Sequence, residues 1–123
     1  MLLSSQFYNY QLIEQNDNQS YVLKLHFNAQ HEIFIGHFPN NPVVPGVTMV
    51  QLVKEVLSEV LQKPIHLENI SLIKFLKVIN PRIDIDYTLI ITLQTIDTKI
   101  KCDAHIKDES NSYFKMKSSY IAL

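Results

Sequence analysis

A chain of 123 residues, 46% of them hydrophobic, has the length of one domain and enough apolar material for a core without disulfides. A formal net charge of −1 excludes a global field that would draw nucleic acid or an anionic membrane. The single Cys102 excludes an intramolecular disulfide, which suits a reducing compartment.

No apolar run approaches the roughly 18 residues of a membrane span. Met1 to Gln6 lacks the basic and apolar regions of a signal peptide. The expectation is a soluble, cytoplasmic protein with one domain over residues 1–123.

In chain order, Phe7 to Glu14 and Tyr21 to Phe27 read as strands joined by a polar turn over Gln15 to Gln19. Tyr21, Leu23, Leu25 and Phe27 share one face by alternation. Val47 to Gln62 reads as a helix ended by Lys63 and Pro64, apolar over most of its circumference. Gln51, Glu55, Ser58 and Gln62 form its narrow polar stripe. Ile65 to Ile79 reads as a long, bent or bulged strand. Strands over Tyr87 to Ile96, Ile100 to Lys107 and Tyr113 to Ala122 follow, separated by turns at Asn80 to Arg82, Asp97–Thr98 and Asp108 to Asn111. Strands on both sides of one buried helix predict an α+β fold, an antiparallel sheet wrapped on that helix.

Both glycines, Gly36 and Gly46, and three prolines, Pro39, Pro42 and Pro45, crowd into one eleven-residue stretch just before the helix. That concentration suggests a backbone path other residues cannot follow. Pro45 and Gly46 offer no capping side chain, so the first amides of the helix suit an incoming carbonyl oxygen that gains negative charge. A solvated glycine cap is the alternative. His37, held beside this helix start, is placed to remove a proton next to a docked carbonyl. His26, His31, His66 and His105 read as structural or surface residues. His31, Glu32 and His37 match no zinc-ligand spacing, and neither metal nor cofactor is expected. Cys102 falls on the Ile-rich face of its strand and reads as core.

The run Ile35-Gly-His-Phe-Pro-Asn-Asn-Pro-Val-Val-Pro-Gly-Val-Thr-Met-Val-Gln-Leu-Val53 resembles the 3-hydroxyacyl-[acyl-carrier-protein] dehydratases of the FabA/FabZ type, in the hotdog superfamily. It follows their His-Phe-Pro-x-x-Pro-x-x-Pro-Gly motif without a gap. Ile73 to Pro81 is similar to their strand leading into a proline turn. The resemblance implies a hotdog fold and an edge-to-edge dimer with active sites at the interface. It implies reversible dehydration of a 3-hydroxyacyl thioester to the trans-2-enoyl thioester, in fatty acid or related lipid metabolism. His37 would take the α-proton and the Gly46 amide would bind the thioester carbonyl, with Val47 and Phe38 beside the substrate.

One position departs from this pattern. Fourteen residues after His37 and five after Gly46, where the resemblance calls for a Glu or Asp from the other subunit, stands Gln51. An amide has no proton to give at neutral pH. Three readings follow: a dehydratase in which Gln51 positions the substrate or a water and Glu55, one turn on, serves through a water; a half-site subunit paired with a related hotdog chain that carries the carboxylate; or an acyl-binding chain without catalysis. An acyl thioesterase ranks behind these. The expected partners are an acyl chain on acyl-carrier protein and a second hotdog subunit, in a homodimer, heterodimer or higher oligomer. Lys74, Lys77, Arg82, Lys115 and Lys117 are a candidate basic patch for the carrier protein, or simply solvated strand faces.

Overall fold

A computed structural model describes residues 7–17, 19–31, 34, 42–83 and 85–123. Among them the order of elements is β1 (Tyr8–Asn16), β2 (Ser20–Phe27), α1 (Gly46–Leu61), β3 (Ile65–Phe75), β4 (Tyr87–Ile96), β5 (Lys99–Lys107) and β6 (Ser112–Ala122). The six strands form one antiparallel sheet in the order β1-β2-β4-β5-β6-β3. β3 thus crosses to the far side and pairs with β6, leaving β1 and β3 as the two edges. This is the α+β architecture that the pattern of strands and one long helix predicts.

Alternation governs which side chains enter the core. Tyr21, Leu23, Leu25 and Phe27 of β2 are buried, as are Ile100, Cys102, Ala104 and Ile106 of β5, while Lys99, Lys101 and Asp103 face outward. Ends of strands differ from the sequence reading where turn chemistry is tighter. β1 runs on to Asn16, because Asn16 pairs with Ser20 and its carbonyl accepts the Gln19 amide at 2.9 Å. Asp17 takes φ 50°, a left-handed conformation that Asp tolerates better than most residues. Asp97, at φ 56°, does the same in the two-residue turn between β4 and β5.

The long strand after the helix is bulged, as expected, but shorter. Register slips between Leu67 and Asn69 and again between Ile70 and Leu72. The chain then leaves the sheet after Phe75. Leu76 N–H still reaches the Tyr113 carbonyl at 2.8 Å, and Ile79 accepts the Val44 amide at 2.9 Å. Residues 76–79 are therefore a strap tying the segment before α1 to the sheet.

α1 ends where predicted, with Gln62 at φ 56° capping the Ser58 and Glu59 carbonyls before Pro64. Leu52, Val53, Val56 and Leu57 are wholly buried in the core shared with the sheet. Each such side chain contributes about 1.5–3 kcal/mol by leaving water. The polar stripe does not face solvent along its whole length, however: Gln62 is exposed, but Glu55 is only 5% exposed. Val47, in contrast, is 76% exposed at the opening turn.

Candidate active site

The start of α1 has the bare amides expected of it. Pro45 is the N-cap with extended backbone, no side chain caps the helix, and no acidic residue lies in the first turn. Thr48 does not help, because its hydroxyl donates to the Pro45 carbonyl at 2.6 Å. The Thr48 and Met49 amides also turn to that carbonyl, at 3.1 and 3.4 Å. The Gly46 and Val47 amides thus stand at the positive end of the helix dipole, where a polarised oxygen is favoured.

Gly46 is needed there for contact rather than for an unusual dihedral. Gly46 has no positive φ; the rest of the expectation, which turned also on Gly36, lies outside the described residues. A Cβ on Gly46 would instead lie 2.7 Å from the Cε1 and Cζ atoms of Phe75. The Phe75 ring, itself packed at 5.5 Å on Phe114, lies flush against the helix start. Val44, Gly46, Met49, Phe75 and Ile79 line a mostly apolar pocket of about 340 Å³ that Lys77 also borders. An apolar pocket with a few placed polar groups is the usual form of a small-molecule site.

Gln51 lies a turn and a half further along, half-buried, and its partner is a surprise of the tertiary structure. Its Nε2 donates to Glu55 Oε2 at 3.0 Å, while the phenol of Tyr8 donates to Glu55 Oε1 at 3.1 Å. Tyr8 is 1% exposed, and burial followed by the Glu55 charge pushes its phenol well above the usual tyrosine range. Tyr10 stacks on Tyr8 with ring centroids 6.4 Å apart. Burial and the neighbouring Glu59 push Tyr10 up to about 12. Gln51 and Glu55 border a second pocket, of about 310 Å³, with Lys54, Ser58 and Ile65.

His37 and Phe38 lie outside the described residues, as do Gly36, Pro39 and Glu32. The other histidines have local roles. His26 pairs with Asp86 at 3.2 Å, His105 meets the Ser112 hydroxyl at 2.9 Å, His31 packs edge-on against Phe7 at 5.4 Å, and His66 is exposed. Cys102 is buried and its thiol is pushed up to about 12, chiefly by burial, so it is no nucleophile. Among the described residues no group of His, Cys, Asp and Glu is placed to hold a metal ion, and no helix is long and apolar enough to cross a membrane. The five basic residues proposed for a carrier protein are outward-facing, and Lys77 donates to Asn111 at 3.0 Å.

Sequence reasoning missed Tyr8 and the pressing of Phe75 on Gly46. The Tyr8–Glu55 bond spans 47 positions, so no local pattern announces it. Phe75 sits in the stretch similar to the dehydratases, but nothing in its spacing says that its ring reaches the helix start.

An antiparallel sheet around one long helix, with an uncapped helix start that lines a pocket, is the hotdog fold. Residues 13–117 match the family described as ApeI-like, ApeI dehydratase, and the chain belongs to that family. Among curated proteins it is 30% identical over 102 residues to the 3-hydroxyacyl-[acyl-carrier-protein] dehydratase FabZ of Ehrlichia chaffeensis, covering 75% of this chain and 67% of that protein. It is also 30% identical over 104 residues to the FabZ of Lactobacillus helveticus, covering 78% and 70%. Among solved structures, the dehydratase heterocomplex ApeI:P from Xenorhabdus doucetiae superposes with a TM-score of 0.72 at 19% identity, over 90% of this chain and 96% of that one. A hypothetical thioesterase with coenzyme A from Streptococcus pneumoniae gives 0.70 at 16% identity, over 94% and 86%. At these identities the structures speak for the fold.

Proposed function

We propose that the chain is a hydro-lyase subunit that dehydrates 3-hydroxyacyl thioesters reversibly to trans-2-enoyl thioesters. The observation that carries this reading is the uncapped start of α1 at Gly46, set in an apolar pocket beneath Phe75. In the proposed reaction the thioester carbonyl accepts from the Gly46 amide, which lowers the cost of negative charge on that oxygen. His37 takes the α-proton, the β-carbon–oxygen bond breaks, and the hydroxyl leaves as water once it gains a proton. Phe38, Val47 and Phe75 supply apolar surface for the acyl chain.

Gln51 favours a second form of the same reading, in which this chain works with a related hotdog subunit. An amide supplies no proton for the leaving hydroxyl, and positioned acid catalysis is worth about 10²–10⁴-fold. The exposed edge strand β3, with Ile70, Ile73 and Phe75 partly open to solvent, is where a second sheet would join. A heterocomplex is the described state of the ApeI:P dehydratase. In this form His37 and Gly46 serve a substrate whose proton comes from a carboxylate on the partner's helix. A thioesterase has only the shared fold in its favour.

The test is turnover of a 3-hydroxyacyl carrier-protein thioester, followed by enoyl absorbance, with the purified chain alone and mixed with hotdog subunits from the same genome. Turnover in either arm that disappears in His37→Ala supports the proposal. Absence of turnover in every combination, or release of free thiol instead of enoyl product, rejects it.

A further inference from the structure

A cavity of about 550 Å³ lies on the outward face of the sheet, lined by strand residues of β3 to β6 and by none of α1. That volume falls within the roughly 300–1,000 Å³ of small-molecule sites. Its centre is the part of β5 and β6 remote from the turn that joins them, where four side chains form a square. Lys101 stands opposite Ser119 and Asp103 opposite Lys117, so the two lysines share a diagonal. Diagonal neighbours across a strand pair lie about 7–8 Å apart, within reach of long side chains. Lys101, Asp103 and Lys117 are exposed, and none of the three has an ion-pair partner among the described residues. Lys99 differs: its ammonium holds Glu68 Oε1 at 3.2 Å, and the same oxygen accepts from Ser119 at 3.3 Å. Ser119 is thereby fixed at the bottom of the cavity, only 7% exposed. Thr92 and Gln94 of β4 line the side beyond Asp103 and Lys101.

We propose that this cavity binds a phosphate ester of a hydroxyl-rich body, with the phosphate between Lys101 and Lys117 and the hydroxyls at Asp103, Thr92 and Gln94. Two ammonium groups on one diagonal repel each other, and an anion seated between them relieves that repulsion while accepting from both. Asp103 sets the class of ligand. Its carboxylate repels a bare phosphate, but accepts from a hydroxyl that the bare anion lacks. A nucleotide and a polyol phosphate share this chemistry. A docking face for an acidic protein would use the lysines, yet has no need of a cavity or of a carboxylate inside it. The proposal does not depend on the acyl-thioester reading, whose residues lie on the other side of the sheet.

Backbone amide shifts of the full chain, followed by NMR titration, test this with AMP, inositol 1-phosphate, inorganic phosphate, adenosine and inositol. AMP and inositol phosphate should both move the amides of residues 99–103 and 117–119, whereas adenosine and inositol should not. Both esters should bind more tightly than inorganic phosphate by about 3- to 10-fold, the scale of one neutral hydrogen bond. Lys101→Gln and Lys117→Gln should each weaken the esters by about 3- to 10-fold, less than a buried charge-assisted bond because both side chains are exposed. Lys24→Gln removes the same charge on β2, outside the cavity, and should stay within about 2-fold because salt screens exposed charges at that distance. Asp103→Asn gives a change of opposite sign for two probes: inorganic phosphate should bind more tightly, while the advantage of the esters over it shrinks. Loosening of the fold would weaken every probe together. The proposal is overturned if no phosphate probe binds, if the esters bind no better than inorganic phosphate, or if their affinity survives the double variant Lys101→Gln with Lys117→Gln. It is also overturned if acyl-carrier protein moves these amides and the small phosphates do not, which would make the face a protein-docking surface.

Discussion

The β4–β5–β6 part of the sheet and the start of α1 handle their polar groups in opposite ways. At the β5–β6 turn Asp108 Oδ1 accepts the Ser110 and Asn111 amides at 2.9 and 2.7 Å, and Oδ2 takes the Tyr113 phenol. The inward side chains of β5 there are at most 3% exposed. Earlier in the chain, α1 begins with no cap, and Val47, Phe75 and Val78 are 76%, 56% and 68% exposed. One region has satisfied itself; the other holds donors and apolar surface in reserve. A fold stabilised mainly by the first can carry the second, and that division is what a binding site on a rigid scaffold requires.

The sharpest way to break the contrast is to exchange the amide and the carboxylate on α1. In the double variant Gln51→Glu with Glu55→Gln the net charge is unchanged. The amide now at position 55 can accept from Tyr8, and its NH2 can donate to the carboxylate now at position 51. The hydrogen-bond pattern survives while a carboxyl group comes to the outer position. Dehydration by the chain alone should then rise by about 10²–10⁴-fold, the usual worth of a positioned acid. Gln51→Glu by itself should gain less, because two carboxylates would then face each other where Nε2 and Oε2 now lie 3.0 Å apart. A double variant no more active than wild type would show that position 51 is not where the missing proton enters.

The closed region is next, and the effect there is on stability. Ile106→Ala in β5 removes a wholly buried side chain and should cost about 2–5 kcal/mol in denaturant unfolding. Val47→Ala, at an exposed apolar position, should stay within about 0.5 kcal/mol yet raise KM for the acyl substrate. Equal stability losses at the two positions would erase the distinction drawn between them.

How far these regions were legible in the sequence follows the same division. Alternation in β2 and β5 marks the buried face because a half-buried strand has only that way to arrange its side chains. The uncapped helix start was legible because capping is local: Pro45 and Gly46 have no side-chain oxygen to offer. Glu55 was not legible as a buried residue. Helical spacing sets it on a polar stripe, and only the arrival of Tyr8 from β1 turns that stripe into an internal contact. The role of Gly46 was half-legible, since a glycine at this point is conspicuous but the ring that requires it comes from the end of β3.

That ring gives a smaller effect. Gly46→Ala puts a methyl 2.7 Å from two ring atoms of Phe75, but the ring is half-exposed and can swing. The stability cost should fall near the low end of the roughly 1–3 kcal/mol seen for overpacking. In the Phe75→Ala background the same substitution should cost less, and the difference between the two is the coupling. Additive costs would mean that the contact with Phe75 is not what requires glycine at position 46.

The smallest effect is a pH dependence confined to the closed region. His105 is held below its ordinary value of 6.5, first by burial and then by Lys115 and Lys107. Asp108 is held below 3.8, chiefly by the Tyr113 hydrogen bond. Both shifts have the same sign, so at each group the unfolded chain takes up a proton before the folded one does. The stabilisation from His105 is complete above 6.5 and is lost as pH falls from there through its folded value. That from Asp108 persists to 3.8 and is lost below it. Thermal midpoints measured against pH should therefore decline in two separate steps. His105→Gln should remove the upper step and leave the lower, and Tyr113→Phe should shrink the lower and leave the upper. A single step that responds to both substitutions would mean that the two groups titrate as one network, through Ser112 and the turn they share.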